Sequence, residues 1–277
     1  MIHPRQPANM AHSVHDRLLT LAKKRGRPFN ELLQYYGMER FLYRLSMSTV
    51  KSRFVLKGAL LMTARASLPF RPTRDIDLLG FGDNSENAVG TLIREVCTQS
   101  VPDDGLRFDA ASITAERIKE DADYPGIRAK FDGYLGPARL AMQVDVGFGD
   151  QVIPAPQEID YPVLLDFPAP RLRAYPLETA VAEKLQAMVY LGELNTRMKD
   201  FFDVWMLCRH VDLNPENLQA AIAQTFAHRN TAIPTEPACF SPAFVAAKQV
   251  QWEALLRRFP GHPAPAQLSV VVRDIRS

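Results

Sequence analysis

The stretch that most constrains this chain runs from Phe54 to Leu79. An apolar run, Phe54-Val55-Leu56, leads into Lys57-Gly58-Ala59-Leu60-Leu61, and after a short gap comes Arg71-Pro72-Thr73-Arg74-Asp75-Ile76-Asp77-Leu78-Leu79. The first three residues have the brevity and apolarity of a buried strand end. Gly58 frees the main chain to take angles that a Cβ forbids and lets a ligand come close. A helix starting just after it aims unpaired amides and a positive dipole end outward, which suits a phosphate. Pro72 ends any such helix, and Asp75 to Leu79 reads as a strand. Alternation then puts Asp75 and Asp77 on one face, with Ile76 and Leu78 turned to the core. Two carboxylates held side by side repel each other unless a cation sits between them. Oxygen-only ligands with phosphate nearby suit Mg²⁺. An isolated Asp-x-Asp is more often a solvated strand face. The glycine–helix element upstream and the flanking Arg71 and Arg74 shift that balance toward a site.

A chain of 277 residues can bury a full core, as one large domain or two to three small ones. Its formal net charge of +2 neither demands nor excludes a nucleic-acid partner, so any basic surface must be local. Cys97, Cys208 and Cys239 lie far apart without metal-ligand spacing, and read as reduced packing thiols of a cytoplasmic protein. No stretch approaches the ~18 consecutive apolar residues of a membrane span. The start, Met1 to Met10, is polar and has no signal-peptide block.

Residues 1 to 9 read as disordered. Helical spacing covers Met10 to Ala22, through Val14, Leu18, Leu19 and Leu21. The basic turn Lys23-Lys24-Arg25-Gly26-Arg27-Pro28 follows, with a solvated loop preferred to a phosphate contact. Asn30 to Tyr36 and Met38 to Leu45 add two helical segments, so that residues 1–50 form a helical cap. Ser85 to Thr98 is a helix, with Val89, Leu92, Ile93 and Val96 on one stripe. Leu106 to Ile118 suggests strand, turn, strand, and Tyr124 to Phe131 another strand. Gly133 to Pro137 makes a hairpin turn. Arg139 to Phe148 then alternates Leu140, Met142, Val144, Val146 and Phe148 against Ala141, Gln143, Asp145 and Gly147.

Asp145, on the face opposite the aliphatics, is a third carboxylate. Three convergent acids would bind one or two Mg²⁺, activating an attacking hydroxyl and neutralising a leaving phosphate. The alternative is an exposed acid on a half-buried strand. Gln151 to Pro176 is proline-rich, Val163-Leu164-Leu165 in it suggests an edge strand, and a domain boundary is placed near Pro170. Leu177 to Leu194 is a strong helix with Glu178 in its first turn. A second helix runs from Arg197 to His210, where Asp200 and Asp203 share a face with Leu207. Acids beside an aromatic helix face need partners, and Lys184, Arg197 or Lys199 can supply them. A purely structural ion-pair network would leave the same pattern. Asn214 to Ala227 and Pro242 to Phe259 are helical, His210 and His228 read as surface or capping residues, and Leu268 to Val272 suggests a strand or docking tail.

Taken together, Phe54-Val55-Leu56-Lys57-Gly58-Ala59, Arg71 to Leu78, Val144-Asp145-Val146, Glu178 to Leu185 and Lys199-Asp200-Phe201-Phe202-Asp203 resemble the AbiEii/AbiGii-type nucleotidyltransferase toxins. This MenT-like branch belongs to the polymerase-β-like nucleotidyltransferase superfamily. The resemblance implies an α+β fold: a nucleotidyltransferase core with a mixed sheet over residues 51–170, helices before it, and a C-terminal helical domain over residues 171–277. It implies an enzyme that moves a nucleotide from a nucleoside triphosphate to RNA, the 3′ end of transfer RNA, in a toxin–antitoxin or abortive-infection system. It implies Mg²⁺ on Asp75 and Asp77, with Asp145 matching the third acid less securely. Lys57 and Gly58 fall at the first motif, Thr73 and Arg71 near the phosphates, and Lys184 at the motif lysine that contacts nucleotide phosphate. Asp200 or Asp203 matches the acid of the following helix, with Asp200 favoured. A cognate antitoxin is implied as well. One departure stands out. The family has Gly-Gly-Ser/Thr where this chain has Gly58-Ala59-Leu60, so the hydroxyl after the turn is missing. Transfer to a protein side chain is the second reading, and a nucleotide- or RNA-binding regulatory module without turnover is the third.

Overall fold

The computed structural model describes residues 9–65, 71–121 and 124–277, and the expectation of disorder over residues 1 to 9 falls almost wholly outside them. The α+β fold class holds. The chain divides into two compact units. The first takes residues 1–60, 73–149 and 158–174, and the second residues 61–72, 150–157 and 175–277.

The first unit opens with helices α1 (Met10–Arg25) and α2 (Phe29–Met47). Asn9 caps α1 by accepting from the His12 amide, and Gly26 ends it in the left-handed region at φ +60°. The two helical segments expected between Asn30 and Leu45 are one continuous helix. Gly37 sits mid-helix against the sheet, where a Cβ would fall 2.7 Å from Leu140 Cδ2. The glycine that marks a break in the sequence pattern is a close-packing position.

Among the described residues seven strands follow: β1 (Phe54–Lys57), β2 (Asp75–Gly80), β3 (Leu106–Asp121), β4 (Tyr124–Leu135), β5 (Ala138–Phe148), β6 (Gln157–Asp160) and β7 (Arg171–Ala174). They form one mixed sheet in the order β3-β4-β5-β2-β1-β7-β6. β1 pairs antiparallel with β2, β2 parallel with β5, and β3, β4 and β5 form an antiparallel meander. Helix α3 (Gly58–Arg65) starts directly at the end of β1, and α4 (Glu86–Thr98) starts at the Ser85 cap.

Register assigns the two faces. Leu56, Ile76, Leu78, Ile127, Ala129, Phe131, Met142, Val144 and Val146 share one face, are all buried, and lie beneath α2 and α4. The opposite face carries Lys57, Asp75, Asp77, Arg128, Lys130, Gln143 and Asp145.

Leu106 to Asp121 is a single strand with a register irregularity between Asp109 and Thr114, where strand, turn, strand was expected. Ser112 donates to the Asp109 carbonyl and Asp109 accepts from the Ala111 amide, so the turn-like residues fold into a local bulge. Val163-Leu164-Leu165 is not an edge strand. The Leu164 amide is satisfied by the Glu39 carboxylate of α2 at 2.6 Å, and β6 takes the edge.

The second unit is helical over α5 (Leu177–Leu191), α6 (Met198–His210), α7 (Pro215–His228), α8 (Pro242–Leu256) and α9 (Leu268–Arg276). Residues 268–272 form the start of a helix and not a strand. The buried Leu268, Val271 and Val272 recur at helical spacing, and that pattern overrides the β-branched run. Among the described residues no helix is long and apolar enough to cross a membrane.

Candidate active site

β1 and β2 build the centre of the polar face. Lys57 lies opposite Asp77 in the antiparallel register, and Gly58 follows at φ +69°. A Cβ on Gly58 would fall 2.5 Å from Asp77 Cγ and 2.6 Å from Asp77 Cβ. No side chain fits there, so the glycine brings the start of α3 against the Asp77 carboxylate. Two constraints coincide at this residue, a left-handed backbone and the absence of a side chain. Ala59, Leu60 and Leu61 behind it are buried. The positions where the family has a second glycine and a hydroxyl are committed here to the core.

Asp75 and Asp77 are half-buried and alternate with the buried Ile76 and Leu78, as their spacing requires. Thr73 sits just upstream. Its hydroxyl lies 3.4 Å from the Asp75 amide, and its own amide donates to the Tyr35 hydroxyl at 3.2 Å. The hard oxygens of two half-buried carboxylates on one strand face are of the kind that suits Mg²⁺ completed by waters and phosphate oxygens. Among the described residues no group of three or more His, Cys, Asp or Glu is arranged to hold a metal.

Asp145 lies directly opposite Asp77 across the β2–β5 pairing and is buried. Both its oxygens are engaged by Arg128 of β4, with Nε donating at 2.8 Å and a terminal nitrogen at 2.7 Å. Gln143 adds a third donor at 3.2 Å. These bonds hold the Arg128 pKa above its usual value, and Asp75 and Glu116 add to the effect. The sequence reading missed Arg128. Counting back from the Gly136-Pro137 turn would have placed it opposite Asp145, since a hairpin's register follows from its turn.

Beyond Asp75 the same face opens into a cleft of about 490 Å³, lined by Arg74, Lys130, Asp132, Arg139 and Gln143 among others. Lys130 pairs with Glu116, and Arg139 with Asp132.

The remaining expected site residues lie in the second unit. Lys184 of α5 donates to Asp200 at 2.8 Å and stands 2.9 Å from Asp203, both on α6. Arg71 binds Asp203 with two parallel bonds of 2.9 Å each. Arg197 Nε is 2.7 Å from Asp200, an ion pair without hydrogen-bond alignment. Asp200 and Asp203 are fully buried. Burial works to raise the Asp200 pKa, but the charges of Lys184 and Arg197 outweigh it and hold it below the usual carboxylate range. Burial likewise works to lower the Lys184 pKa, and the two carboxylates hold it above its usual value. Of the partners expected for these acids, Lys184 and Arg197 are present. Arg71, assigned to the phosphates in the sequence, is the added one, and Asp203 ties it to Lys184. Arg65 donates to Gln157.

A model of the AbiEii family, described as nucleotidyl transferase AbiEii toxin of a type IV toxin–antitoxin system, matches residues 40–273. No curated protein matches the sequence. Among solved structures the fold is similar to MenT4, the nucleotidyltransferase toxin Rv2826c from Mycobacterium tuberculosis H37Rv. That match has a TM-score of 0.52 and 14% identity, and covers 96% of each chain. It is also similar to JHP933 from Helicobacter pylori, with a TM-score of 0.52 and 17% identity over 88% of this chain and 91% of that one. At such identity these two likenesses speak for the fold, while the family match spans the glycine turn, the acid pair and the lysine–aspartate helices alike. The chain belongs to the AbiEii family of nucleotidyltransferase toxins of type IV toxin–antitoxin systems.

Proposed function

We propose that this enzyme transfers a nucleotide from a nucleoside triphosphate to RNA with the help of Mg²⁺ bound by Asp75 and Asp77, and that its acceptor is the 3′ end of transfer RNA. The observation that carries the reading is the wedge of Gly58 against Asp77. It sets amides of the α3 start beside a half-buried carboxylate pair, which suits a metal–triphosphate. When bound, the cation would polarise a phosphoryl oxygen and lower the barrier to displacement of pyrophosphate. Lys57 lies opposite Asp77 in the register, and Thr73 bonds the backbone at Asp75, so both flank the acid pair. In the second unit Lys184 supplies the fixed charge for nucleotide phosphate, and Asp200 keeps that lysine protonated. The family implies a cognate antitoxin; silencing of toxicity by an adjacent gene product would supply it, and undiminished toxicity on co-expression would speak against it.

The test incubates purified protein with total RNA, Mg²⁺ and each α-labelled nucleoside triphosphate in turn, alongside Asp77→Ala. Label in a transfer-RNA-sized band that disappears in the variant is the expected result. Label that survives ribonuclease and runs with protein would overturn the RNA acceptor. Label equal in Asp77→Ala would overturn the assignment of the metal pair.

A further inference from the structure

The end of β1 and β2 away from the acid pair carries a group of cations that the candidate site does not use. The two strands run side by side from Lys57 and Asp77 to Phe54 and Gly80, and Arg53 and Phe81 lie one residue beyond. The Phe81 amide donates to the Arg53 carbonyl at 3.0 Å, and Arg53 Nε donates to the Phe81 carbonyl at 2.8 Å. Neither bond uses the terminal nitrogens of Arg53. Its guanidinium packs against Gly82, where a Cβ would run into it, 3.0 Å from Cζ. Arg173 donates to the Ser52 carbonyl and sets its guanidinium over the Phe81 ring, 5.6 Å from the centroid. Lys51 is exposed on the same single turn of 3-10 helix as Arg53. Phe81 itself stays 42% exposed. Among the described residues none of the three cations is paired with a carboxylate. Asp83 accepts from the Ser85 amide at 2.8 Å, and Glu158 pairs with Arg171 at 3.0 Å. Like charges held together without counter-charges suit a polyanion.

We propose that Lys51, Arg53, Arg173 and Phe81 anchor a single-stranded segment of the RNA acceptor, with the cations on its phosphates and an unstacked base on the exposed Phe81 ring. The inference rests on the RNA reading proposed above. Cations that follow the backbone, beside an aromatic ring that takes a base of any sequence, are how single strands are held. An acidic peptide would match the charges but leave the exposed ring without a partner. Phe81 is four residues from Asp77, about 13 Å along an extended chain. That length corresponds to about four nucleotides at the stacked spacing of 3.4 Å. The anchored base therefore lies at least about four nucleotides from the end that reaches the acid pair.

The test follows binding of a fluorescein-labelled single-stranded RNA oligonucleotide to the full chain by anisotropy, without nucleotide, from about 50 to 200 mM salt. Circular dichroism reports the fold. Each phosphate contact adds about 0.7 to the slope of log affinity against log salt. Lys51→Gln, Arg53→Gln and Arg173→Gln combined should therefore lower the slope by about 2. Phe81→Ala should weaken binding about fivefold or more at every salt concentration and leave the slope unchanged. If the triple variant does not fold, Lys51→Gln decides in its place, with a slope lower by about 0.7. Wild-type slope and affinity in the folded variants would overturn the inference and leave the RNA reading standing. Displacement of the RNA by poly-glutamate at equal charge concentration would also overturn it, in favour of an acidic protein partner. A wild type that binds no RNA would remove the RNA reading itself, and this inference with it.

Discussion

Gly58→Ala places one methyl group at the point where the backbone and the acid pair constrain each other most tightly. The residue sits at φ +69°, a region that costs an L-residue about 1–2 kcal/mol. The new Cβ would also lie 2.5 Å from Asp77 Cγ, well inside van der Waals contact. Moving the carboxylate aside in a packed site adds about 1–3 kcal/mol, the usual scale of overpacking. The sum, about 2–5 kcal/mol, corresponds to a urea midpoint lowered by about 1–2 M at the slopes typical of small domains. Because the methyl displaces Asp77 in particular, Mn²⁺ affinity should fall in parallel. Gly37→Ala is the control. Its Cβ also meets a neighbour, at 2.7 Å, but that atom is the end of a leucine side chain. Alanine moreover gains about 1 kcal/mol over glycine inside a helix. Gly37→Ala should therefore shift stability by no more than about 1 kcal/mol and leave Mn²⁺ binding unchanged. A Gly58→Ala protein with the wild-type urea midpoint and wild-type Mn²⁺ affinity would refute the close approach of Gly58 to Asp77.

Asp203→Asn leaves Arg71 and Lys184 without their shared counter-charge in a fully buried setting, and should cost about 3–5 kcal/mol in chemical unfolding; a loss under 1 kcal/mol would show that the cluster does not hold α5 and α6 together. Asp200 has a folded pKa below its unfolded value, so its contribution is present above about pH 4 and lost as pH falls through the folded value. Asp200→Asn should accordingly flatten the acid limb of a stability–pH curve, and an unaltered limb would count against the pairing. Glu39 behaves with the opposite sign. Burial pushes its pKa up to about 7 against the pull of Arg40, so its contribution is full below about pH 4.3 and lost as pH rises through 7. That window should show about 3 kcal/mol of decline, absent in Glu39→Gln when urea unfolding is followed from pH 4 to 8.

Much of the fold could be read from spacing alone, for an identifiable reason. Alternation in Asp75 to Leu78 and in Leu140 to Val146 reports a sheet with one covered face, and both strands sit as that pattern demands. The failures have local causes. The two segments Asn30 to Tyr36 and Met38 to Leu45 are one helix, because the sheet beneath α2 needs a residue without a side chain at Gly37. Leu268 to Val272, expected as a strand or docking tail, has buried positions that follow the period of a helix despite its three consecutive valines. In each case tertiary packing overrode a one-dimensional preference.

The candidate site divides in the same way, with a chemical consequence. Its acids are visible in sequence because a paired carboxylate on a strand is conspicuous by residue type. Their cations are not, because Arg128 lies 17 positions from Asp145 and Arg71 lies 132 from Asp203. Only register or helix packing brings each pair together. Sequence reading therefore counts three acids and assigns them all to metal. The structure shows the third, Asp145, buried and held by Arg128 from the next strand, while Asp75 and Asp77 stay half-buried on the same face. Burial, more than residue type, separates a carboxylate that must keep its partner from one that can exchange it.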